Sequence, residues 1–206
     1  NLSEFSRESH KKLSYWAPYV PTGTLSSTFT GSATGMMEGN LDPLPTEHVV
    51  KPIAFALHVV HANKILHLDI KPDNIMLDGS MDATLTDFGI AKEYKSSGEQ
   101  ANNEEPNGTN TYSAPEQCGE GHLIRFAPPT DIYSLAGTLY RLLAYKFPHP
   151  VTTYSNEDED LRENMQCSEQ TKNAIVRGLM RSPEARPQTV QEFLNLFPGC
   201  ENIKLD

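Results

Sequence analysis

Apolar residues recur at helical spacing early in the chain, where Val49, Val50, Ile53, Leu57 and Val60 share a broad face behind Thr46, a candidate N-cap. Pro52 lies inside that run, so the pattern predicts a helix that kinks there or begins later than Thr46. Two short runs of β-type residues follow, Ile65-Leu66 and Ile75-Met76-Leu77. A third, Ala83-Thr84-Leu85-Thr86, comes after the turn signal Asp78-Gly79. The second half reads as helices. Thr130 is a candidate cap for a segment carrying Ile132, Leu135, Leu139, Leu142 and Leu143, and Ser168 for one carrying Ala174, Ile175, Leu179 and Met180. Thr189 with Glu192 makes a capping-box pattern ahead of Phe193, Leu194 and Phe197.

The intervening stretches are polar. Residues 1–45 are rich in Ser, Thr, Gly and Pro and poor in core, with one apolar patch, Tyr15-Trp16-Ala17-Pro18-Tyr19-Val20, expected to form a short strand. From Lys92 to Thr111 there is almost no large apolar side chain, which predicts a long mobile loop of the kind that carries function. The acidic run Glu157-Asp158-Glu159-Asp160 is expected to be a solvated loop, and no internal repeat is visible.

At 206 residues and 37% apolar, the chain suits one compact domain or a large piece of one. Its 27 acidic residues against 17 basic ones, a formal charge of −10, argue against coating nucleic acid or an anionic membrane as its main role. Cys118, Cys167 and Cys200 are odd in number and lack the paired spacing of a zinc site, which fits a reducing compartment. With neither a secretory-type apolar core near Asn1 nor a membrane-length apolar run, the expectation is a soluble, cytoplasmic protein.

The chemistry gathers in two loops. His67-Leu68-Asp69-Ile70-Lys71-Pro72-Asp73-Asn74 lies between β-type runs and presents Asp, Lys and Asn together. Thr86-Asp87-Phe88-Gly89 places a further carboxylate at a strand end, before a glycine that permits a turn. Asn74 and Asp87 offer hard oxygen ligands, too few for a closed Ca²⁺ cage but suited to Mg²⁺ that draws its remaining ligands from water and phosphate. Asp69 is then placed to accept a hydroxyl proton and Lys71 to neutralise charge on a phosphoryl group in flight. These are the parts that phosphoryl transfer requires, since positioning and charge stabilisation supply most of its catalysis.

These residues resemble the catalytic loop and the metal-binding Asp-Phe-Gly of the eukaryotic-type protein kinases. Further similarities follow in family order over roughly residues 15–200. Gly108-Thr109-Asn110-Thr111-Tyr112-Ser113-Ala114-Pro115-Glu116 resembles the substrate-positioning loop that ends in Ala-Pro-Glu. Asp131-Ile132-Tyr133-Ser134-Leu135 is similar to the start of the large central helix, and Pro183-Glu184-Ala185-Arg186-Pro187 to the segment whose Arg pairs with that Glu. The resemblance implies that Asp69 is the catalytic base or the carboxylate that orients the hydroxyl, that Lys71 touches the γ-phosphate, and that Thr109 bridges Asp69 and Lys71. It implies that Asn74 and Asp87 hold Mg²⁺. The Lys and Thr are similar to those of Ser/Thr rather than Tyr kinases. His67, Asp131, Glu116 and Arg186 are implied to be architectural, His67 as a satisfied core histidine. Ala17 to Leu25 resembles the adenine-binding hinge, using the carbonyl of Pro18 and the N–H of Val20, with Met76 on the pocket floor. An edge strand plus a turn is the alternative reading of that stretch.

The pattern also departs from the family. No Gly-x-Gly-x-x-Gly loop precedes the hinge, Gly31, Gly35 and Gly39 follow it at the wrong spacing, and Lys11 and Lys12 lie too close to Asp69 to be the small-lobe lysine. Leu68 stands where many relatives carry an Arg that pairs with a phosphorylated loop, which argues against phosphate-triggered ordering of residues 90–110. The expected fold is α+β, a mainly α-helical kinase-like C-lobe with short β-hairpin strands around the catalytic loop. Residues 1–22 are expected to be a remnant of the N-lobe strand and hinge, and 23–206 the C-lobe, with catalytic loop 67–74 and activation segment 87–116. The implied activity is transfer of the ATP γ-phosphoryl to a protein Ser/Thr hydroxyl with Mg²⁺, weak in the isolated chain and completed by a missing N-lobe segment or a partner chain. A kinase-like binding or scaffold module without turnover, and phosphorylation of a small molecule on a related fold, are the alternatives. Neither nucleic acid nor membrane is an expected partner.

Overall fold

Pro52 decides where the first regular helix begins. A six-residue π-helical turn, Pro45–Val50, leads into helix α1, Lys51–Ala62, with Pro52 in the first turn, where its missing N–H leaves no bond unmade. The later start anticipated from Pro52 is therefore what occurs. The cap position falls to Val50, which offers no side-chain bond, rather than to Thr46. The computed structural model describes residues 23–26, 45–94, 111–118, 126–148 and 157–205. The patch expected to form a strand at residues 15–20 lies outside these.

The β-type runs form two small antiparallel sheets. Strand β1, Gly23–Thr24, pairs with β3, Ile75–Leu77, which pairs with β4, Ala83–Leu85, in the register Ile75 to Leu85 and Leu77 to Ala83. The connecting turn is fixed by Asp78, whose Oδ1 accepts from the backbone N–H of Ser80 at 2.8 Å and of Asp82 at 3.0 Å. Strand β2, Ile65–Leu66, pairs with β5, Lys92–Glu93. This last strand corrects the expectation of an unbroken loop from Lys92. Its ladder needs only backbone groups, and it is held from outside by Tyr94, whose hydroxyl donates to the His61 carbonyl and whose ring packs against Leu66, Leu68 and Phe126.

The second half is helical, with α2 at Pro128–Ala144, α3 at Glu157–Asn164, α4 at Glu169–Gly178 and α5 at Val190–Leu194. Ser168 caps α4 as anticipated, accepting from Thr171 N–H at 3.2 Å. Three expectations need correction. Thr130 is not the cap of α2; it sits in the first turn behind Ala127, accepting from Ala127 N–H and donating to Glu116. Only half of the Thr189 capping box forms, because Thr189 accepts from Glu192 N–H while the Glu192 carboxylate turns to Gln188 N–H. The acidic run begins a helix rather than a loop, since Leu161 and Met165 just beyond it are buried in the core and Arg162 reaches Glu169 and Asn173.

Helix α2 is buried along almost its whole length and packs against α4 and α5, while α1 packs on α5 and on strands β2 and β4. One continuous core results, from Ile53, Leu57 and Ile75 through Ile132, Leu135 and Leu139 to Ile175, Phe193 and Phe197. Leu66, Leu68 and Phe126 form a separate small cluster beneath the catalytic-type loop. Among the described residues no helix is long and apolar enough to cross a membrane.

Candidate functional site

The polar loop leaves β2 at Leu66 and enters β3 at Ile75 through a short 3-10 turn, Pro72–Asn74. Its first half is held from α2. Asp131, fully buried, accepts from the backbone N–H of His67 at 2.9 Å and of Leu68 at 2.8 Å, and its Oδ2 lies 2.8 Å from His61 Nε2. Burial alone would raise the Asp131 pKa, but the hydrogen bond from the His61 side chain and that from the His67 backbone N–H outweigh it and hold the carboxyl below its ordinary value.

His67 is also fully buried, and its Nε2 faces the Thr86 carbonyl at 3.0 Å while its Nδ1 accepts from Asp69 N–H at 3.3 Å. These two bonds select the tautomer with the proton on Nε2. Loss of water around the ring lowers its pKa despite the neighbouring carboxylates, so it is neutral. Its ring meets Phe88 edge-on at 4.6 Å. His67 is thus the satisfied core histidine anticipated for it.

Leu68 adopts a left-handed backbone with φ 65°, unfavourable for a bulky residue. Three restraints impose it: the bond to Asp131, burial against Leu66 and Phe126, and a bond from Gln117 Nε2 to the Leu68 carbonyl at 2.8 Å. The next residue is Asp69, half-buried, whose Oδ2 accepts from Lys71 Nζ at 2.8 Å and from Asn74 Nδ2 at 2.9 Å. Asn74 Nδ2 also donates to the Asp69 carbonyl at 2.8 Å. Asp69, Lys71 and Asn74 therefore form one bonded group.

Asp87 comes to this group through its neighbour. The Asn74 carbonyl accepts from both the backbone N–H and the hydroxyl of Thr86, at 2.9 and 3.0 Å. Asp87 then turns into the left-handed region at φ 61°, exposed, with Oδ1 accepting from Gly89 N–H at 3.1 Å. A Cβ at position 89 would stand 2.9 Å from that oxygen, so a larger residue there would push the Asp87 carboxylate aside. Met76 lies half-buried on β3 opposite Thr24. Pro18, Val20 and Thr109 lie outside the described residues.

The donor set fits the ion that the resemblance implies. Asn74 is 6% exposed and spends its Nδ2 on Asp69, while among the described residues nothing donates to its Oδ1. A buried acceptor without a donor suits a cation. Asp87 Oδ2 likewise accepts no hydrogen bond from the described residues. No three His, Cys, Asp or Glu side chains gather into a metal cluster among the described residues.

Sequence reasoning missed two buried polar groups at this site. His61 follows Leu57 at helical spacing on the buried face of α1, a signal that was present. Gln117 gave none, because a Gln beside Glu116 reads as surface until the fold buries both.

A family model described as "Protein kinase domain" matches residues 2–197. The serine/threonine-protein kinase ppk34 of Schizosaccharomyces pombe is 28% identical over 184 residues, covering 85% of this chain and 49% of that protein. The serine/threonine-protein kinase PknB of Mycobacterium leprae is 30% identical over 166 residues, covering 76% and 26%. The serine/threonine-protein kinase chk-1 of Caenorhabditis elegans is 33% identical over 108 residues, covering 52% and 21%. The chain thus spans about half, or less, of the length of these relatives. By this match, and with Asp69, Lys71, Asn74 and Asp87 standing at the positions just described, the chain belongs to the protein kinase domain family, of the eukaryotic Ser/Thr type.

Proposed function

We propose that this chain is the catalytic C-lobe region of a Ser/Thr protein kinase that transfers the γ-phosphoryl of Mg-ATP to a protein hydroxyl, and that it requires a small lobe for full turnover. The observation that carries this reading is Asp69 Oδ2 held jointly by Lys71 Nζ and Asn74 Nδ2, beside the Asn74 Oδ1 that lacks a donor among the described residues. Mg-ATP, when bound, supplies the phosphoryl group and an ion that polarises its oxygens.

In this reading Asn74 and Asp87 hold the ion. Asp69, oriented by its two donors, accepts the proton of the substrate hydroxyl, and Lys71 sits where charge grows on the phosphoryl oxygens. Thr109 would bridge Asp69 and Lys71. Pro18 and Val20 would bind adenine through backbone groups, over Met76. Without a lid, water enters and weakens each of these electrostatic contributions, which is why the isolated C-lobe is expected to turn over poorly. In this reading the enzyme works in the cytoplasm, a reducing compartment.

The test is transfer of labelled γ-phosphate to a generic basic protein by the full-length protein, with Asp69→Asn and Asp87→Ala beside it. Removing the Asp69 carboxylate is expected to lower kcat by about 10²- to 10⁴-fold. Transfer by the unaltered protein no greater than by these variants would assign the chain to a binding or scaffold role instead.

A further inference from the structure

We propose that Gln117 is a positioning residue that couples the segment ending in Ala114-Pro115-Glu116 to the Asp69 carboxylate, acting through the backbone of Leu68. This rests on the phosphoryl-transfer reading of Asp69. Gln117 is 4% exposed, and both ends of its amide are used: Nε2 donates to the Leu68 carbonyl at 2.8 Å, and Oε1 accepts from Ala114 N–H at 3.0 Å. The carbonyl can only accept and the N–H can only donate, so a neutral amide satisfies both in one orientation.

The anchor is rigid. Glu116, the preceding residue, is buried and held by Arg186 and Thr130. From that fixed point Gln117 reaches back to a residue whose conformation needs enforcing. The two backbone polar groups of Leu68 are divided between different elements: Asp131 of α2 holds its N–H, and Gln117 holds its carbonyl. The Leu68 carbonyl belongs to the peptide that links it to Asp69, so its direction sets where the Asp69 side chain starts. Asp69 must then meet Lys71 and Asn74 at hydrogen-bond distance. A shift of residues 111–114 that pulls the Gln117 amide away along with Ala114 N–H leaves a buried carbonyl without its donor and frees the Leu68–Asp69 peptide to rotate. In this way the placement of the segment near the substrate is transmitted to the reacting carboxylate.

Two substitutions test the coupling in the full-length protein. Gln117→Met keeps the volume and removes both bonds. Gln117→Glu keeps an acceptor for Ala114 N–H but donates to Leu68 only while its carboxyl is protonated, a form that burial favours. Gln117→Met is expected to lower kcat by about tenfold or more, with the KM for ATP moved by less than about twofold. Relative to the unaltered protein, Gln117→Glu is expected to recover activity as pH falls from about 8 to about 6. The charged groups packed around this position, Glu116 with Arg186 and Asp131 with His61 and His67, are present in both proteins, so their titration cancels in the ratio.

A Gln117→Met kcat within about twofold of the unaltered value, or a Gln117→Glu ratio that is flat with pH, overturns the proposal. Hydrogen exchange of the backbone amides of residues 68–70 gives a readout free of turnover. Faster exchange there in Gln117→Met is expected, and unchanged exchange overturns the coupling. Should the unaltered protein transfer no more phosphate than Asp69→Asn, the kinase reading fails, and exchange alone decides whether Gln117 holds Leu68.

Discussion

Arg186 meets Glu116 with both arms of its guanidinium, Nη1 to Oε1 at 2.7 Å and Nη2 to Oε2 at 2.9 Å, across 70 positions of sequence. The pair is buried, and its remaining donors and acceptors are used. Arg186 also donates to the carbonyls of Met180, Pro129 and Arg181 and stacks on Tyr133 at 4.8 Å, while Thr130 donates to Glu116. Removing one partner strands a charge inside the protein. Glu116→Ala is therefore expected to destabilise the fold by about 3–5 kcal/mol in urea unfolding, and Arg186→Lys to fail as a replacement because an ammonium lacks the planar fork. A loss below about 1 kcal/mol would show that the pair contributes little.

Asp87 is exposed and bonded to the backbone of Gly89, so its removal should spare the fold while removing a proposed ion ligand. In the full-length protein Asp87→Ala is expected to leave the ligand-free Tm near its original value and to abolish the rise caused by Mg-ATP. That rise corresponds to about 2.7 kcal/mol at a ligand concentration 100 times Kd. An undiminished rise would remove Asp87 from the ion site.

Gly178 sits where α4 crosses α2. A Cβ at this position would lie 2.5 Å from Ala136 Cβ and 3.0 Å from Phe193 Cε2. Gly178→Ala is expected to cost about 1–3 kcal/mol by overpacking, and adding Ala136→Gly to recover part of it. Simple addition of the two effects in a double-mutant cycle would contradict the close approach.

Stability should fall on mild acidification. Burial holds the His67 pKa in the fold below 6.5, the ordinary histidine value at which the imidazole of the unfolded chain is half-protonated. Between the lowered native value and 6.5 the unfolded state binds more protons, so stability rises with pH and is lost as pH drops through that window. Asp131, also lowered, adds a second loss as pH falls below its ordinary value of 3.8. His67→Tyr keeps a ring against Phe88 and removes the imidazole. It is expected to reduce the slope of the unfolding free energy with pH just below 6.5, and an unchanged slope would exclude His67 as the source.

The grouping of polar side chains was legible in the sequence wherever it is local. Asp69, Lys71 and Asn74 lie within a few residues of one another between two β-type runs, so any hairpin-like path brings them to one loop. The α4 cap at Ser168 and the two runs that become β3 and β4 on either side of the Asp78-Gly79 turn were legible for the same reason, since each is set by neighbours in sequence. Helix α3 was not, because charge dominates its composition, and Leu161 inside it with Met165 just past its end are too few to make a periodic signal. Strand β5 was not, because two residues paired through backbone leave no side-chain pattern.

By itself, then, the order of residues determined which side chains share a loop and what chemistry they are capable of. Only the tertiary structure decided how that loop is held: Asp131 and Gln117 divide the Leu68 backbone between them from 63 and 49 positions away. The physical reason is burial. A hydrogen bond to a carboxylate or an amide is worth little where water competes, and becomes specific only once packing has excluded that water, which no stretch of chain does on its own.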